Sequence, residues 1–138
     1  VVGVCIPWRD AHVRPGRRDR GLWEDHKQYL EGLGPLLDRE KEGAPEIVLG
    51  DFNQRIPRSR VPEEVFIELL KAFDGKYTIS TAGDLPGADS LAIDHVAHTQ
   101  ELRRKQVTVI PAETEDGLHL SDHFGLIVDL TTDSASHG

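Results

Sequence analysis

The spacing of apolar residues constrains this fold more than any other feature, because two periodicities alternate along the chain. From Leu22 to about Glu42 and from Pro62 to Phe73, apolar side chains recur every three or four residues, which is typical of amphipathic helices. Shorter runs rich in Val, Ile and Leu are typical of strands, and they lie at 1–6, 46–50, 77–80, 91–98, 107–110 and 125–130. This order predicts an α/β domain with a mixed β-sheet and two main helices on one face.

Glycine and proline mark where these elements should bend or stop. Gly34 and Pro35 should kink or split the first helix, whereas Pro62 suits the first turn of the second helix and Gly75 should end it. The 138 residues fit one domain, which we place at residues 1–130, followed by a polar tail at 131–138. No apolar run approaches the roughly 18 residues needed to cross a bilayer, so we expect no membrane span.

The net charge of −8 argues against a protein that holds nucleic acid by bulk electrostatics. A polyanionic substrate would therefore have to be met by a local cluster of cations. Arg17, Arg18 and Arg20 lie in an Arg-rich loop after the first strand. Arg55 lies farther along the chain, two residues after Asn53. These residues are candidates for phosphate binding, because arginine pairs bidentately with phosphate, but a solvated loop explains the cluster equally well. Cys5 is the only cysteine, which excludes an internal disulfide, and we expect it to be buried.

Three short motifs that contain acids, an amide and imidazoles follow or interrupt predicted strands. They are Gly50-Asp51-Phe52-Asn53, Ile93-Asp94-His95-Val96 and Ser121-Asp122-His123-Phe124. Strand ends in open α/β sheets commonly line one cleft, so the three could converge. If the strand continued past Asp51, a period of two would put the side chains of Asp51 and Asn53 on the same side.

Such a set suits the hydrolysis of a phosphate ester, which needs an activated water, positive charge for the transferring oxygens and a hydrogen-bond donor. Zinc ligation by His119 and His123 is disfavoured, because a predicted loop rather than a helix separates them. Asp94 and His95 interrupt an apolar strand. Burying either without a partner would cost about 1–3 kcal/mol, which favours a purposeful pair.

In this order and with these elements between them, the motifs resemble the endonuclease/exonuclease/phosphatase superfamily over residues 1 to about 130. The resemblance implies half of a four-layer α/β sandwich. It implies that Asp51 is the general base or orients the water and that Asn53 holds the scissile phosphate. It further implies that Asp94 orients His123, that His123 stabilises the phosphoryl oxygens and that Asp122 contacts a metal ion, Mg²⁺ or Mn²⁺.

The chain departs from the superfamily pattern in two places. The pattern has a histidine shortly after the first strand, whereas this sequence has Ile6-Pro7-Trp8, with His12 farther along. The pattern also takes an Asn and the principal metal-binding Glu from an N-terminal half. We therefore expect an incomplete catalytic half, whose apolar inner sheet face is covered by a missing N-terminal half or by a homo-oligomer.

Three functions remain open from the sequence. The first is a metal-dependent phosphodiesterase, an endonuclease or exonuclease acting on nucleic acid. The second is a phosphatase or phospholipase-type enzyme acting on inositol or lipid phosphates. The third, of another class, is a non-catalytic binding or assembly module that retains the motifs.

Overall fold

The computed structural model describes residues 1–11, 13, 21–39 and 43–132. Over these residues it forms two helices and six strands. In chain order they are β1 (Val2–Cys5), α1 (Glu24–Leu37), β2 (Ile47–Asp51), α2 (Glu63–Ala72), β3 (Tyr77–Ile79), β4 (Asp94–Thr99), β5 (Leu102–Ile110) and β6 (Gly125–Thr132). Neither helix of the described part has the length and apolar composition needed to cross a membrane.

The predicted α/β class is confirmed, with a mixed sheet and two helices. Within the described ranges, four strands form one sheet in the order β1-β2-β4-β3, in which β1 runs parallel to β2 and the other neighbours are antiparallel. The last two predicted strands do not join this sheet. Instead, β5 and β6 pair with each other as a separate antiparallel ribbon. Strand β6 extends to Thr132, so the predicted polar tail begins two residues too early.

Both helices pack on one face of the four-stranded sheet because alternate strand residues point toward them. Val4, Val48 and Ala97 supply the sheet side of the core. The helix side consists of buried residues at helical spacing, namely Leu30, Leu33, Leu37, Leu69, Ala72 and Phe73. Burial of each large apolar side chain contributes about 1.5–3 kcal/mol to the stability of the folded state, so this layer stabilises the fold.

The opposite face of the sheet is more exposed. Leu49 retains 40% of its accessible surface, and Cys5 is exposed, so the expectation of a buried cysteine was wrong. The reason is the period of two in β1: Val2 and Val4 pack against the core, which turns Cys5 the other way. Coverage of this face by another half or another copy stays a prediction.

Helix α1 passes through Gly34 and Pro35 and ends at Leu37, so the expected split of the helix was wrong. Pro35 lies in the last turn, so its missing N–H costs one helical hydrogen bond and only two helical residues follow it. Gly34 allows close approach of the helices, because a Cβ at this position would lie 3.6 Å from Cα of Ala72. The two residues therefore serve helix packing rather than a break.

His26 connects α1 to the segments that leave β1 and β2. It is fully buried, and its Nδ1 lies 2.7 Å from the carbonyl oxygen of Pro7. Because a carbonyl only accepts, Nδ1 carries the proton, and Nε2 accepts a hydrogen bond from Nε2 of Gln54 at 2.9 Å. Burial lowers the pKa of His26 below its ordinary value, although the hydrogen bond to Pro7 opposes the shift. The neutral ring therefore joins the two segments.

Gly50 is the tightest point in the sheet. Its φ of 143° lies in a region that favours glycine, and a Cβ there would lie 1.8 Å from the carbonyl oxygen of Val4. No side chain fits between β1 and β2 at this register. The close approach at Gly50 therefore helps to fix the backbone position of the next residue, Asp51.

We predict that Gly50→Ala lowers the free energy of unfolding by about 3 kcal/mol or more, because it combines backbone strain with overpacking. Urea denaturation followed by circular dichroism measures the change. The matched control is Gly3→Ala in the neighbouring strand, where a Cβ meets nothing within 4 Å. Equal stability of the two variants would contradict the steric role of Gly50.

We predict that His26→Gln is less stable than the wild type at pH 8 and that this difference narrows as the pH falls. Folding lowers the pKa of His26 below its unfolded value of 6.5, so the neutral ring makes its full contribution to stability above pH 6.5. This contribution is lost as the pH falls through the pKa of the folded state. Urea denaturation at pH 8 and pH 5 measures the difference. A difference for His26→Gln that does not change between pH 8 and pH 5 would count against the prediction.

Candidate active site

Two carboxylates face each other where β2 and β4 end. Asp51 is the last residue of β2, and it pairs directly with Asp94, the first residue of β4. Because both strands are extended and antiparallel here, the two side chains lie on the same face of the sheet, and both are partly buried. Like charges directly opposite each other are destabilising, so the pair calls for a compensating positive charge.

His123 lies against this pair, in the turn that precedes β6. Its Nδ1 lies 2.8 Å from Oδ2 of Asp94, and about a third of each side chain is exposed. An ionised carboxylate only accepts, so Nδ1 donates and Nε2 is left for other partners. In the neutral ring Nε2 accepts a proton or binds a metal ion; in the protonated ring it donates. The structure thus brings together Asp94 and His123, which are 29 residues apart in the chain.

Asp51, Asp94 and His123 form a group that could hold a metal ion, since one potential ligand atom from each lies within 4.8 Å of the others. The facing carboxylates fit a divalent cation, which would relieve their repulsion. Carboxylate oxygens suit both Mg²⁺ and Mn²⁺. Within the described residues the two carboxylates are therefore compatible with either cation.

Asn53 lies beside Asp51, but not for the reason expected from strand periodicity. Strand β2 ends at Asp51, and Asn53 has a φ of 52°, a left-handed conformation that asparagine tolerates. The chain turns here because the N–H of Asn53 donates to Oδ1 of Asp51 at 2.8 Å. The side-chain Nδ2 donates to the carbonyl oxygen of Ile6 at 2.7 Å, which ties Asn53 to the end of β1. The strand does not continue past Asp51, so the condition for the period-of-two argument is not met.

Asp122, the residue expected to contact a metal, lies at the rim. Its side chain is 93% exposed, and Oδ1 lies 3.1 Å from Nε2 of His119. It borders the same small cavity as Asp94 and His123, but it is not a member of the three-residue group above. Its role in metal binding stays a prediction.

A buried scaffold behind the site was not foreseen from the sequence. His95, next to Asp94 but on the helix-facing side, is buried and donates from Nε2 to the backbone oxygen of Gln54 at 2.8 Å. Its Nδ1 accepts from the hydroxyl of Thr81. Burial lowers the pKa of His95, against the raising effect of the hydrogen bond to Gln54. Since His26 holds the side chain of the same Gln54, two neutral imidazoles fix the segment that carries Asn53. Only the interruption of an apolar strand at His95 hinted at this.

Two adjacent depressions lie at the site. A cavity of about 70 Å³ is bordered by Asp94, His123 and Arg55. A larger groove of about 450 Å³ includes Asn53, and Arg55 and Ile93 border both depressions. The role of Arg55 in substrate binding stays a prediction. Arg17, Arg18 and Arg20, the other predicted contacts, lie outside the described residues.

Comparison with known proteins gives little similarity. No protein-family model matches the chain, and no curated protein matches it significantly. Among solved structures, the chain is similar to a mannosyl-6-phosphatase of Bacteroides thetaiotaomicron VPI-5482, with 19% sequence identity and a TM-score of 0.46. The similarity covers 78% of this chain and 45% of that one, so this chain spans less than half the length of that phosphatase.

Proposed function

We propose that this chain carries the active site of a metal-dependent hydrolase of phosphate esters. The observation that carries the proposal is the hydrogen bond between Asp94 and His123, made beside the facing carboxylate of Asp51. The carboxylate of Asp94, the imidazole that it orients and the neighbouring carboxylate of Asp51 supply the groups that hydrolysis requires. The motif resemblance to the endonuclease/exonuclease/phosphatase superfamily supports the same assignment.

Each residue of the site has a distinct role in the proposed reaction. Asp94 holds the ring of His123 in one orientation and keeps the proton on Nδ1, so that Nε2 faces the reacting group. Asp51 orients the attacking water. Asn53, fixed by two hydrogen bonds, presents its amide to the phosphate, and Arg55 offsets the negative charge at the mouth of the cavity. Asp51 and Asp94 would hold a divalent cation, which supplies charge neutralisation for the phosphate oxygens.

The form of the cleft favours phosphodiesters over phosphate monoesters. The 70 Å³ cavity and the 450 Å³ groove share Arg55 and Ile93 as lining residues, so a second substituent on the phosphate would have the neighbouring groove in which to lie. We therefore place a nuclease-type phosphodiesterase first. A phosphatase acting on inositol or lipid phosphates is the second candidate, and a panel of these esters distinguishes the two.

A metal-binding test addresses the site without requiring turnover. We predict that Asp51→Asn lowers the affinity for Mn²⁺ at least about tenfold, because it removes one charged oxygen ligand. The same variant should melt at a higher temperature than the wild type in metal-free buffer, because the repulsion from Asp94 is gone. Electron paramagnetic resonance titration and differential scanning calorimetry measure the two effects.

The matched control for that test is Asp129→Asn, an exposed position in β6. It should change neither quantity. If Asp51→Asn and Asp94→Asn both bound Mn²⁺ like the wild type, the metal site would have to be sought elsewhere.

Turnover tests the reaction itself. We predict Mn²⁺-dependent hydrolysis of methyl p-nitrophenyl phosphate that falls about 10²- to 10⁴-fold in His123→Ala, the usual contribution of one positioned acid or base. Plasmid DNA, RNA and inositol phosphates complete the panel, with Asp129→Asn as the control. Undiminished hydrolysis by His123→Ala, hydrolysis in excess EDTA, or no hydrolysis of any ester would each contradict the proposal.

A further inference from the structure

A partly exposed aromatic side chain lines the groove beside the candidate active site. Trp8 borders it and leaves 47% of its surface exposed, although it is one of the largest apolar side chains in the protein. Trp8 follows the buried end of β1, where Ile6 is fully buried and Pro7 is held by His26. The backbone that leads into this indole is therefore anchored. An anchored, half-exposed indole beside a reaction centre suits stacking against a flat group.

The groove also carries unneutralised positive charge. Arg55 and Arg60 border it, both are exposed, and neither forms a hydrogen bond or ion pair with the residues that the structure describes. Arg9, also on the border, is already paired with Asp10 at 3.2 Å. In a chain with a net charge of −8, two unpaired guanidinium groups beside one cleft favour an anionic ligand.

The groove and the cavity at His123 share Arg55 and Ile93. A phosphate at Asp94 and His123 would therefore lie beside the groove that Trp8 borders, which gives its ester substituent a place to lie. Arg60 borders the groove but not the cavity. The candidate reaction centre thus adjoins a groove that combines two cations with an aromatic surface.

We propose that Trp8, Arg55 and Arg60 form a subsite for the nucleoside part of a nucleotide ester. The base stacks on the indole of Trp8, and a further phosphate meets Arg60. Base stacking on an aromatic side chain contributes about 1–3 kcal/mol and tolerates any base. The inference rests on the proposed function, because it names the substrate of the same site.

The chemistry of the groove favours a nucleotide over the other phosphate esters. An inositol ring is saturated and offers no flat π-face to Trp8, and a lipid tail gains nothing from the unpaired charges of Arg55 and Arg60. The overall negative charge disfavours a long duplex, whose binding depends on many phosphate contacts. A mononucleotide ester or a short single strand has a flat base and negative charge, and its binding does not depend on many phosphate contacts.

The test compares substrates that release the same chromophore. They are methyl p-nitrophenyl phosphate, the 3′- and 5′-p-nitrophenyl phosphates of thymidine, and the 5′ ester that also carries a 3′-phosphate. We expect the 138-residue chain with Mn²⁺ to prefer one thymidine ester over the methyl ester about tenfold in kcat/KM, and this ratio should collapse in Trp8→Ala. Trp8→Phe, which keeps a flat ring, should retain most of it.

The 3′-phosphate should add about a threefold preference that Arg60→Ala removes, as is typical of an exposed ion pair. Lys105→Ala, an exposed cation on β5, is the matched control and should leave both ratios unchanged. Ratios are used because a loss of folded protein affects all substrates equally.

The outcomes separate the two ideas. If the wild type hydrolyses the methyl ester but shows no thymidine preference, or if Trp8→Ala keeps that preference, the subsite inference fails while the proposed function stands. A preference for an inositol phosphodiester over both thymidine esters overturns the inference in the same way. If no ester is hydrolysed, the proposed function fails and the inference fails with it.

Discussion

The site depends on the juxtaposition of two carboxylates at the ends of neighbouring strands. Asp51 and Asp94 occupy paired positions on β2 and β4, where like charges oppose folding unless a cation or a donor lies between them. His123 donates a hydrogen bond to Asp94. Asp51 accepts a hydrogen bond from the backbone N–H of Asn53. A strand pair that holds such a repulsive contact is better explained by the chemistry of the site than by stability.

The surrounding architecture keeps that contact in place. On one side, the close pairing of β1 and β2 at Gly50 fixes the position of Asp51. On the other, the buried rings of His26 and His95 both hold Gln54, so the turn after β2 cannot move without breaking buried hydrogen bonds. Each broken bond would leave a buried polar group unsatisfied, at a cost of about 1–3 kcal/mol. The site is thus positioned by polar contacts at its edge and by the apolar core behind it.

Adjacent residues of β4 illustrate how one strand serves both purposes. Asp94 points to the solvent-facing cleft and takes part in the site, whereas His95 points to the helices and supports the turn. Because of the period of two, adjacent residues supply a carboxylate of the candidate site and a structural imidazole. The same period explains why Cys5 is exposed while Val4 belongs to the core.

The sequence by itself determined the fold class, the two helices and the association of the three motifs with strands, because hydrophobic periodicity and turn residues are local signals. It could not determine that β5 and β6 form a separate ribbon, since strand pairing depends on contacts between distant segments. Nor could it show that Asn53 reaches Asp51 through a left-handed turn, or that Trp8 borders the groove next to Arg55. Only the tertiary structure brought Asp94 and His123 within 2.8 Å, because that distance is set by the packing of residues far apart in the chain.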